Sequence, residues 1–302
     1  QNLVCLDGNN TVYHHEREAV GKDVQNPPYV QLGFIGQYES LGIAGLCAQH
    51  DCNVLMLDIS MEAAEKAMER IVSGRPPVLD DAEKADNITL GSLDGDLKKI
   101  ADYDWICEAV IEDLGVKREL MARVEPLRSD GSVVSTNTSG IPLRDITNGM
   151  PKHLRRNIAV THFFNPVKVM RLMELVPGTD TDGDVIEALS AFCGRTLGKG
   201  VVHAKDTVNF IGNRIGCFWM LMGQHRAKEA RDAGLSTEMI DALMSDPVGL
   251  PPTGLYGLID LVGLDVMDLV GKNLARNLPA GDMGADFTAL PAAEQAKLKR
   301  GQ

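Results

Sequence analysis

The sequence lacks the features that mark several common classes of protein. It has six cysteines but no CxxC pair, and its cysteines and histidines form no cluster with zinc-site spacing. It contains no apolar run of the roughly 20 residues that cross a bilayer. We therefore expect no bound metal and no membrane span. The unpaired cysteines predict a reducing compartment, which we take to be the cytoplasm.

Positive charge is also scarce. The chain carries 30 Lys and Arg against 42 Asp and Glu, a net charge of −12. A chain of this charge repels polyanions, so we expect neither a nucleic acid nor an anionic membrane as its main partner. A small anionic ligand stays open as a hypothesis, because backbone amides at a helix N-terminus bind one locally.

Short apolar runs alternate with helical patterns through the first two thirds of the 302 residues. The chain is 44% hydrophobic, enough to bury a substantial core. The pattern predicts strands at 29–36, 53–58, 104–110, 132–137, 157–162, 172–176 and 201–205, and helices that include 41–50, 60–74, 114–126 and 183–196. Such alternation is typical of an α/β domain whose mostly parallel sheet is covered by helices on both faces.

The pattern changes beyond Asp206, where no segment reads as a strand. Helices are predicted at about 208–231, 236–245, 254–262 and 264–276. We therefore expect three parts: an irregular N-terminal tail over 1–28, a dinucleotide-binding α/β domain over 29–206, and an all-helical domain over 207–302 for substrate binding and dimerisation.

The first predicted strand and its turn are typical of a dinucleotide site in a Rossmann-type sheet. The strand ends at Gly36, a helix follows, and the next strand ends at Asp58. In such sites, glycines let the backbone approach a pyrophosphate, and the acid accepts a hydrogen bond from the adenosine ribose. The turn, however, reads "GQYESLG" over 36–42 instead of GxGxxG. The pattern alone leaves open a cofactor site and an ordinary strand-to-helix turn.

The stretch "VTHFFNPVKVMRLMEL" (160–175) places a histidine and a glutamate in successive apolar runs. His162 ends the predicted strand 157–162, at the edge where open α/β sheets bind ligands. Glu174 lies in the next apolar run, where a buried carboxylate needs a partner. A carboxylate on one imidazole nitrogen fixes the tautomer and raises the basicity of the other nitrogen. The residues alone leave open a catalytic base and a core histidine satisfied by an acid.

Two further polar clusters are expected near the same edge. "STNTSG" (135–140) follows a predicted strand and contains Asn137 and Ser139, and "KDTVNFIGNR" (205–214) carries Asn213. Each cluster alone is weak, because such residues often only cap helices or bond to backbone. Together with the His–Glu pair they favour one cleft between the two domains. We assign Asn137 to the cofactor side of that cleft.

Five segments taken together resemble the NAD-dependent L-3-hydroxyacyl-CoA dehydrogenases. They stand in the order and spacing of that family and cover most of residues 30–275, which makes them more specific than any one motif. The segments are "EAVIEDLGVK" (108–117), "STNTSGIPL" (135–143), "THFFNPVKVMRLMELV" (161–176), "LGKGVVHAKDTVNFIGNRIG" (197–216) and "GLIDLVGLD" (257–265). The last two particularly resemble the dehydrogenase part of larger fatty-acid oxidation proteins.

The resemblance implies a role for each matching residue. His162 matches the catalytic base and Glu174 the acid that orients it. Ser139 and Asn213 match groups that hydrogen-bond the substrate at its reacting carbon. The cofactor-side residues matched are Gly36, Asp58, Glu112, Lys117 and Asn165, of which Asp58 is the ribose-binding acid and Glu112 and Lys117 line the nicotinamide side.

The activity implied is the interconversion of (S)-3-hydroxyacyl-CoA and 3-oxoacyl-CoA with NAD, as in fatty-acid β-oxidation. His162 would take the proton of the 3-hydroxyl while hydride leaves C3 for the nicotinamide. An acyl-CoA substrate is therefore the expected partner. The apolar faces of the helical domain, and the family, predict a homodimer.

Departures in the glycine turn keep a second hypothesis open. Tyr38 stands where a second glycine is usual, and Glu39 adds negative charge beside a diphosphate, so the chain is alternatively a catalytically weak or structural relative with impaired cofactor binding. A third hypothesis is a β-hydroxyacid dehydrogenase of the same two-domain plan. Those enzymes generally use a lysine as acid and base, whereas this chain offers His162 and Glu174.

Overall fold

The chain forms two compact units, which are described separately. The computed structural model describes residues 3–6, 12–15, 31–36, 38–74 and 77–300, and their side chains except those of residues 3–6, 12–15, 31, 32 and 38–40. The first unit runs from Gln1 to Asp206 and the second from Thr207 to Gln302. The first is α/β and the second is helical, which confirms the fold class predicted from the alternating patterns.

The described strands all lie in the first unit. In chain order they are β1 (Leu3–Leu6), β2 (Val12–His15), β3 (Gln31–Gly36), β4 (Asn53–Asp58), β5 (Ile88–Ser92), β6 (Trp105–Ala109), β7 (Val133–Thr136), β8 (Ile158–Phe163), β9 (Leu172–Pro177) and β10 (Gly200–His203). β1 and β2 pair with each other, and β3 to β10 form one sheet in the order β10-β9-β8-β7-β6-β3-β4-β5. The strand β5 is one that the sequence patterns did not predict.

Strand direction divides the large sheet into two parts. β3 to β8 are mutually parallel, whereas β9 runs antiparallel to β8. β10 is parallel to β9. Parallel neighbours need a long crossover, usually a helix. The β8–β9 connection (residues 164–171) is short and contains no helix, so β9 returns beside β8 in the opposite direction.

Alternate residues of the central strands are buried on opposite faces of the sheet. Phe34, Met56 and Cys107 pack into one apolar cluster, and Ile35 and Leu57 pack into another. Because both faces are covered, the strands read as continuous apolar runs without a polar face. Burial on both faces fixes the register of each strand in the sheet. The register in turn sets the position of the residues at the strand ends.

Helices of the first unit cover the two faces of the sheet. They are α1 (Tyr38–Gln49), α2 (Met61–Ser73), α3 (Leu93–Asp96), α4 (Leu114–Val124), α5 (Leu143–Thr147), α6 (Lys152–Asn157) and α7 (Gly183–Ala191), with 3₁₀ turns at Ala82–Asn87 and Leu97–Asp102 and a π turn at Phe192–Thr196. Side-chain caps set some of their starts. The Ser60 hydroxyl accepts from the amide of Ala63 at α2, and the Asp113 carboxylate accepts from that of Val116 at α4.

The second unit packs its helices around a core of its own. Its helices are α8 (Gly212–Asp232), α9 (Thr237–Leu243), α10 (Gly254–Val262), α11 (Leu264–Asn277) and α12 (Ala292–Lys299), with 3₁₀ turns at Asp246–Val248 and Ala285–Phe287. Leu221, Leu255, Ile259 and Met267 are among the buried side chains of that core. α12 is a helix that the sequence patterns did not predict.

Two stretches differ from the predicted elements. Within the predicted tail over residues 1–28, the described residues 3–6 and 12–15 form the antiparallel pair β1–β2, with Leu3 opposite His15. The sequence cue was an Asp-Gly-Asn-Asn stretch at 7–10 between two β-prone runs. A helix was expected from about 208, but α8 begins at Gly212. Asn209 and Phe210 adopt positive φ, which no right-handed helix accommodates.

Several further observations bear on the expected classes. No helix among the described residues is long and apolar enough to cross a lipid bilayer. Within the same residues, no group of three or more His, Cys, Asp or Glu side chains is arranged to hold a metal ion. The cysteines Cys47, Cys52, Cys107, Cys193 and Cys217 are buried free thiols.

Candidate active site at the carboxyl edge of the sheet

The parallel strands β3 to β8 end at one common edge, called the carboxyl edge below. The residues at or just beyond these strand ends include Gly36, Asp58, Glu108, Asn137 and His162. Since an open α/β sheet binds ligands at this edge, the predicted residues Gly36, Asp58, Asn137 and His162 lie where a site is expected.

His162 and Glu174 meet because of the register between β8 and β9. The two residues are directly opposite in this antiparallel pair, which puts their side chains on one face of the sheet. The ring Nδ1 lies 2.7 Å from the carboxylate Oε2, and the exposed fractions are 4% for His162 and 0% for Glu174. An ionised carboxylate only accepts hydrogen bonds, so Nδ1 carries the hydrogen and donates it. The expected contact between the two side chains is present.

The segment around His162 is held by its neighbours. The ring of Phe164 lies with its centroid 4.4 Å from that of His162. The next residue along β8, Phe163, donates its amide hydrogen to Oδ1 of Asn137 at 2.9 Å. Asn137 in turn donates its own amide to the carbonyl of Glu108 at 2.7 Å. The ends of β6, β7 and β8 are therefore tied together at the imidazole.

A partly buried ionic network lies on β6, α4 and the loop between them. The Lys117 ammonium is 2.8 Å from Oε1 of Glu108 and 3.3 Å from Oε2 of Glu112. The second oxygen of Glu108 accepts from the Thr136 hydroxyl at 2.6 Å. Lys117 and Glu108 are fully buried, and the sequence analysis did not single out Glu108. The cue was available, since Glu108 is a carboxylate in the apolar run "WICEA", as Glu174 is in "LMELV".

Glu112 organises the turn that carries Ser139. Its Oε1 accepts from the backbone amides of Ser139, Gly140 and Ile141 at 3.0, 2.9 and 3.2 Å, and from the Thr138 hydroxyl at 2.7 Å. Three successive amides that point at one oxygen form an anion-binding nest. The carboxylate therefore fixes the path of residues 138–141 at the end of β7.

The pKa values of this network are set by opposing effects. Burial alone would raise the pKa of Glu112, but the Lys117 ammonium, the Thr138 hydroxyl and the amides of the turn together hold it below its usual value. Burial alone would lower the pKa of Lys117, but the carboxylates of Glu108 and Glu112 raise it above its usual value. Both groups are therefore ionised at neutral pH.

The other end of the carboxyl edge contains a small cavity at the ends of β3 and β4. It measures about 190 Å³, and its lining includes Gly36, Asp58, Ile59 and Val110. Gly36 has a φ of 149°, and a Cβ there would overlap the carbonyl oxygen of Ala109. Asp58 is largely buried at the end of β4, where its Oδ1 accepts from the amide of Ile59 at 2.6 Å. A bare backbone next to a strand-end carboxylate is the arrangement that a pyrophosphate and an adenosine ribose require.

The remaining predicted residues lie elsewhere. Asn165 is exposed in the β8–β9 connection. Asn213 lies in the first turn of α8, in the second unit. The structure describes neither Gln37 nor the side chains of residues 38–40, so the effect expected of Tyr38 and Glu39 on the glycine turn concerns side chains outside the described part.

The geometry defines a chemical capability. A buried carboxylate holds an imidazole in one tautomer at the edge of the sheet, which suits proton transfer to or from an oxygen. At the ends of the neighbouring strands β6 and β7 lie a lysine–carboxylate network and an ordered turn. Together with the cavity at Gly36 and Asp58, this edge suits an oxidoreductase that uses a dinucleotide.

Two protein-family profiles together match nearly all of the residues from 32 to 300. A family profile described as "3-hydroxyacyl-CoA dehydrogenase, NAD binding domain" matches residues 32–207. A second, "3-hydroxyacyl-CoA dehydrogenase, C-terminal domain", matches residues 210–300. The first match contains the dyad, the ionic network and the cavity.

Curated proteins extend the similarity to whole sequences. The "Putative fatty acid oxidation complex trifunctional enzyme" of Rickettsia felis is 36% identical over 248 residues, which are 80% of this chain and 34% of that protein. The "Probable 3-hydroxyacyl-CoA dehydrogenase" of Bacillus subtilis is 36% identical over 217 residues, which are 72% of this chain and 27% of that protein. The chain thus spans about a third or less of the length of these two relatives.

Among solved structures, (S)-3-hydroxybutyryl-CoA dehydrogenase PaaH1 from Ralstonia eutropha superimposes with a TM-score of 0.76 at 26% identity. The superposition covers 90% of this chain and 94% of that one. Its agreement with both units shows that the order of sheet and helices described above is shared with an enzyme of known structure.

Proposed function

Because this chain belongs to the 3-hydroxyacyl-CoA dehydrogenase family, we propose that it interconverts (S)-3-hydroxyacyl-CoA and 3-oxoacyl-CoA with NAD, as in fatty-acid β-oxidation. The observation that carries the proposal is the 2.7 Å contact between the His162 ring and the Glu174 carboxylate at the carboxyl edge. A core histidine that only satisfies an acid would need neither this edge nor the cavity beside Gly36 and Asp58 along it.

His162 acts as the base. With Nδ1 donating to Glu174, Nε2 is the ring nitrogen assigned to the substrate, and it takes the proton of the 3-hydroxyl. The imidazolium that forms is stabilised by the buried carboxylate, which stays ionised. In the opposite direction, the imidazolium returns the proton to the oxygen at C3. Glu174 therefore serves both directions by holding one tautomer and balancing the charge.

Two polar side chains are assigned to the substrate from the segments in which they occur. Ser139, on the turn organised by Glu112, and Asn213, at the start of α8, are proposed to hydrogen-bond the oxygen at the reacting carbon. Such donors stabilise charge as it develops on that oxygen. The ordered turn supports this role for Ser139, because a donor that is already fixed costs little reorganisation.

NAD, when bound, supplies the hydride acceptor for the carbon. Gly36 and Asp58 are assigned to its adenosine half by the cavity that they line. Glu112 and Lys117 are assigned to its nicotinamide side, and Asn137 and Asn165 are assigned to cofactor binding. The ionic network supports that assignment, because it gives the end of β6 a fixed charge distribution.

The second unit presents apolar side chains to solvent, which supports a homodimer. Ile215, Leu261 and Leu269 are more than 60% exposed, and Met239 and Leu243 more than half. Exposed apolar surface of this kind commonly marks a protein interface. We assign it to a second copy of the chain.

The function is tested with acetoacetyl-CoA and NADH. Wild-type protein should oxidise NADH, and His162→Ala should lower kcat by about 10²–10⁴-fold, since this is the contribution of a general acid–base. NADH affinity, measured by fluorescence titration, should stay within about twofold, because His162 does not line the cavity assigned to the adenosine half of the cofactor. Unchanged turnover in the variant removes His162 as the base.

The same titration and a comparison of substrates separate the alternative functions. Failure of the wild-type protein to bind NADH at micromolar concentration would favour the catalytically weak relative. Turnover of a free 3-keto acid in preference to acetoacetyl-CoA would favour a β-hydroxyacid dehydrogenase instead.

A further inference from the structure

Lys199 is a buried ammonium that the proposed chemistry does not use. It lies between the π turn Phe192–Thr196 and β10, and 7% of it is exposed. Its Nζ donates to the carbonyl oxygens of Val167 and Met170, the latter at 2.9 Å. Its own amide donates to the carbonyl of Cys193 at 2.9 Å, which fixes the base of the side chain.

The charge of Lys199 is not balanced by a carboxylate. The titratable groups that act on it are the thiols of Cys193 and Cys47, and no acidic side chain among the described residues pairs with it. Burial lowers the pKa of Lys199, and burial raises the pKa of both thiols, so these are neutral when the lysine is charged. A buried ammonium costs free energy unless it is well hydrogen-bonded. The two carbonyl bonds are what offsets that cost.

Those carbonyls belong to the β8–β9 connection, which begins two residues after His162. The connection is folded on itself, since the amides of Val169 and Met170 donate to the carbonyl of Pro166 at 3.0 and 2.9 Å. The same ammonium lies 5.9 Å from the centroid of the Phe163 ring. Lys199 therefore holds both the connection and the residue next to the imidazole.

The β8–β9 connection also packs against α1. Val167 is buried, and a Cβ placed on Gly42 of α1 would lie 2.8 Å from its Cγ2, so the valine fits against the bare backbone of the helix. On the outer side, the Lys168 ammonium is 2.6 Å from the Asp80 carboxylate. One short segment thus joins the end of β8 to α1, the helix that begins just after Gly36.

We propose that Lys199 is a positioning residue, which holds the β8–β9 connection from inside the unit and thereby sets His162 relative to α1 and the bound dinucleotide. This inference rests on the function proposed above. Lys199 makes no contact with reacting atoms in this role. It acts through the backbone of Val167 and Met170 and through the ring of Phe163.

The first test is independent of activity. Hydrogen–deuterium exchange of the protein without cofactor should show uptake over residues 164–171 that is at least 10-fold faster in Lys199→Met than in the wild type. Lys199→Met keeps the length of the side chain and removes the donor. Lys168→Met is the matched control, since it removes a partly exposed lysine of the same segment whose partner Asp80 is exposed at the surface, and it should change uptake by less than about threefold.

The second test is kinetic. Lys199→Met should lower kcat with acetoacetyl-CoA at least 10-fold, weaken NADH binding a few-fold and leave KM for acetoacetyl-CoA within about threefold. Lys168→Met should stay within about twofold in each quantity. A lysine that only supports the fold would lower the amount of active protein, so kcat is expressed per active site counted by stoichiometric NADH binding. In that case kcat per active site and NADH affinity would both stay at the wild-type values.

The outcomes distinguish the two proposals. Absent turnover in the wild type defeats the proposed function, while the exchange experiment still decides whether Lys199 holds the connection. Unchanged exchange in Lys199→Met overturns the inference, and so does faster exchange with unchanged kcat and NADH affinity. If Lys199→Met does not fold, Lys199→Gln is used instead, because glutamine retains a donor; its exchange rate and kcat should be intermediate. Wild-type values in Lys199→Gln would count against the positioning role of Lys199.

Discussion

At the scale of single residues, the dyad shows how a buried carboxylate is tolerated. Glu174 is completely buried and its charge is placed against a ring N–H of His162. Burying such a charge without a donor would be strongly unfavourable. The ring and the carboxylate thus stabilise each other in the fold, and the same contact orients the imidazole for proton transfer.

Replacing Glu174 with glutamine tests that coupling. Glu174→Gln keeps the shape but removes the negative charge that stabilises the imidazolium, so kcat should fall by about 10²-fold or more, and the acid limb of the pH profile should move. NADH affinity should be unchanged. The measurements are kcat and kcat/KM across pH 5–9 for both proteins. Superimposable profiles would show that the carboxylate does not steer the base.

Lys117 is the cation on which two carboxylates depend. Lys117→Met would leave Glu108 charged, buried and without its cation, and removing one partner of a buried pair typically costs about 3–5 kcal/mol. The free energy of unfolding, measured by urea denaturation at pH 7, should fall by that amount. Lys66→Met is the control, because its pair with Glu62 is exposed, and it should leave the urea midpoint unchanged.

The pKa shifts give this network a pH window. The pKa of Glu112 is lowered in the folded protein, so its contribution to stability is present above its unfolded pKa and is lost as pH falls through the folded one. The pKa of Lys117 is raised, so its contribution is present below its unfolded pKa and is lost as pH rises through the folded one. The network should therefore stabilise the fold throughout the neutral range. A destabilisation by Lys117→Met that vanished at pH 7 would contradict this.

At the scale of elements, the passage from β3 to α1 determines where a dinucleotide can approach. β3 ends at Gly36 and α1 begins at Tyr38, so the strand passes into the helix almost at once. Gly36 combines a positive φ with close contact to the backbone of Ala109 on β6. A side chain at this position would have to displace a neighbouring strand end.

Gly36→Ala tests this close approach, with Gly33→Ala in the same strand as its control. A Cβ at Gly36 would collide with backbone, whereas one at Gly33 would lie 3.8 Å from side-chain atoms of Ile100 and Ile106, an ordinary contact. We expect Gly36→Ala to weaken NADH binding at least 100-fold, and Gly33→Ala to change it less than about threefold. Fluorescence titration measures both. Tight binding by Gly36→Ala would place the nucleotide elsewhere.

At the scale of the whole molecule, each of the two units has its own apolar core. The first supplies the dyad, the ionic network and the cavity. The second supplies Asn213 and the exposed apolar side chains of α8 to α11. Val266 and Leu269 lie three residues apart on α11, and so on one face of that helix.

Charged substitutions on this exposed surface test the proposed dimer. Leu261 and Leu269 are 77% and 69% exposed, so the double variant Leu261→Glu, Leu269→Glu should not disturb the core of its unit. It should convert a dimer into a monomer in size-exclusion chromatography with light scattering, because burying two carboxylates in an apolar interface is unfavourable. Val72→Glu, on α2 in the first unit, is the control and should leave the mass unchanged. A monomeric wild type would remove the homodimer.

The order of the main strands and helices, the change from α/β to helical patterns, and His162 as a candidate base could all be predicted from the sequence. These are local properties, because periodicity and strand-end residues depend on neighbours along the chain. It also supplied the family, through several motifs in order, which the family profiles over 32–207 and 210–300 confirm. The strand β5 was not predicted, and the pairing of β1 with β2 was missed although the Asp-Gly-Asn-Asn stretch at 7–10 offered a cue.

Most contacts between distant groups became visible only in the folded chain. The pairing of His162 with Glu174 was expected, and the reversal of β9 explains it. The carboxylate of Glu112 on the turn at 139–141, and Lys199 on the carbonyls of Val167 and Met170, were not expected. Each of these contacts depends on strand direction and on the path of a loop, and neither is written in the spacing of apolar residues. The identity of a reactive group is local information, whereas its partner is fixed by packing across the fold.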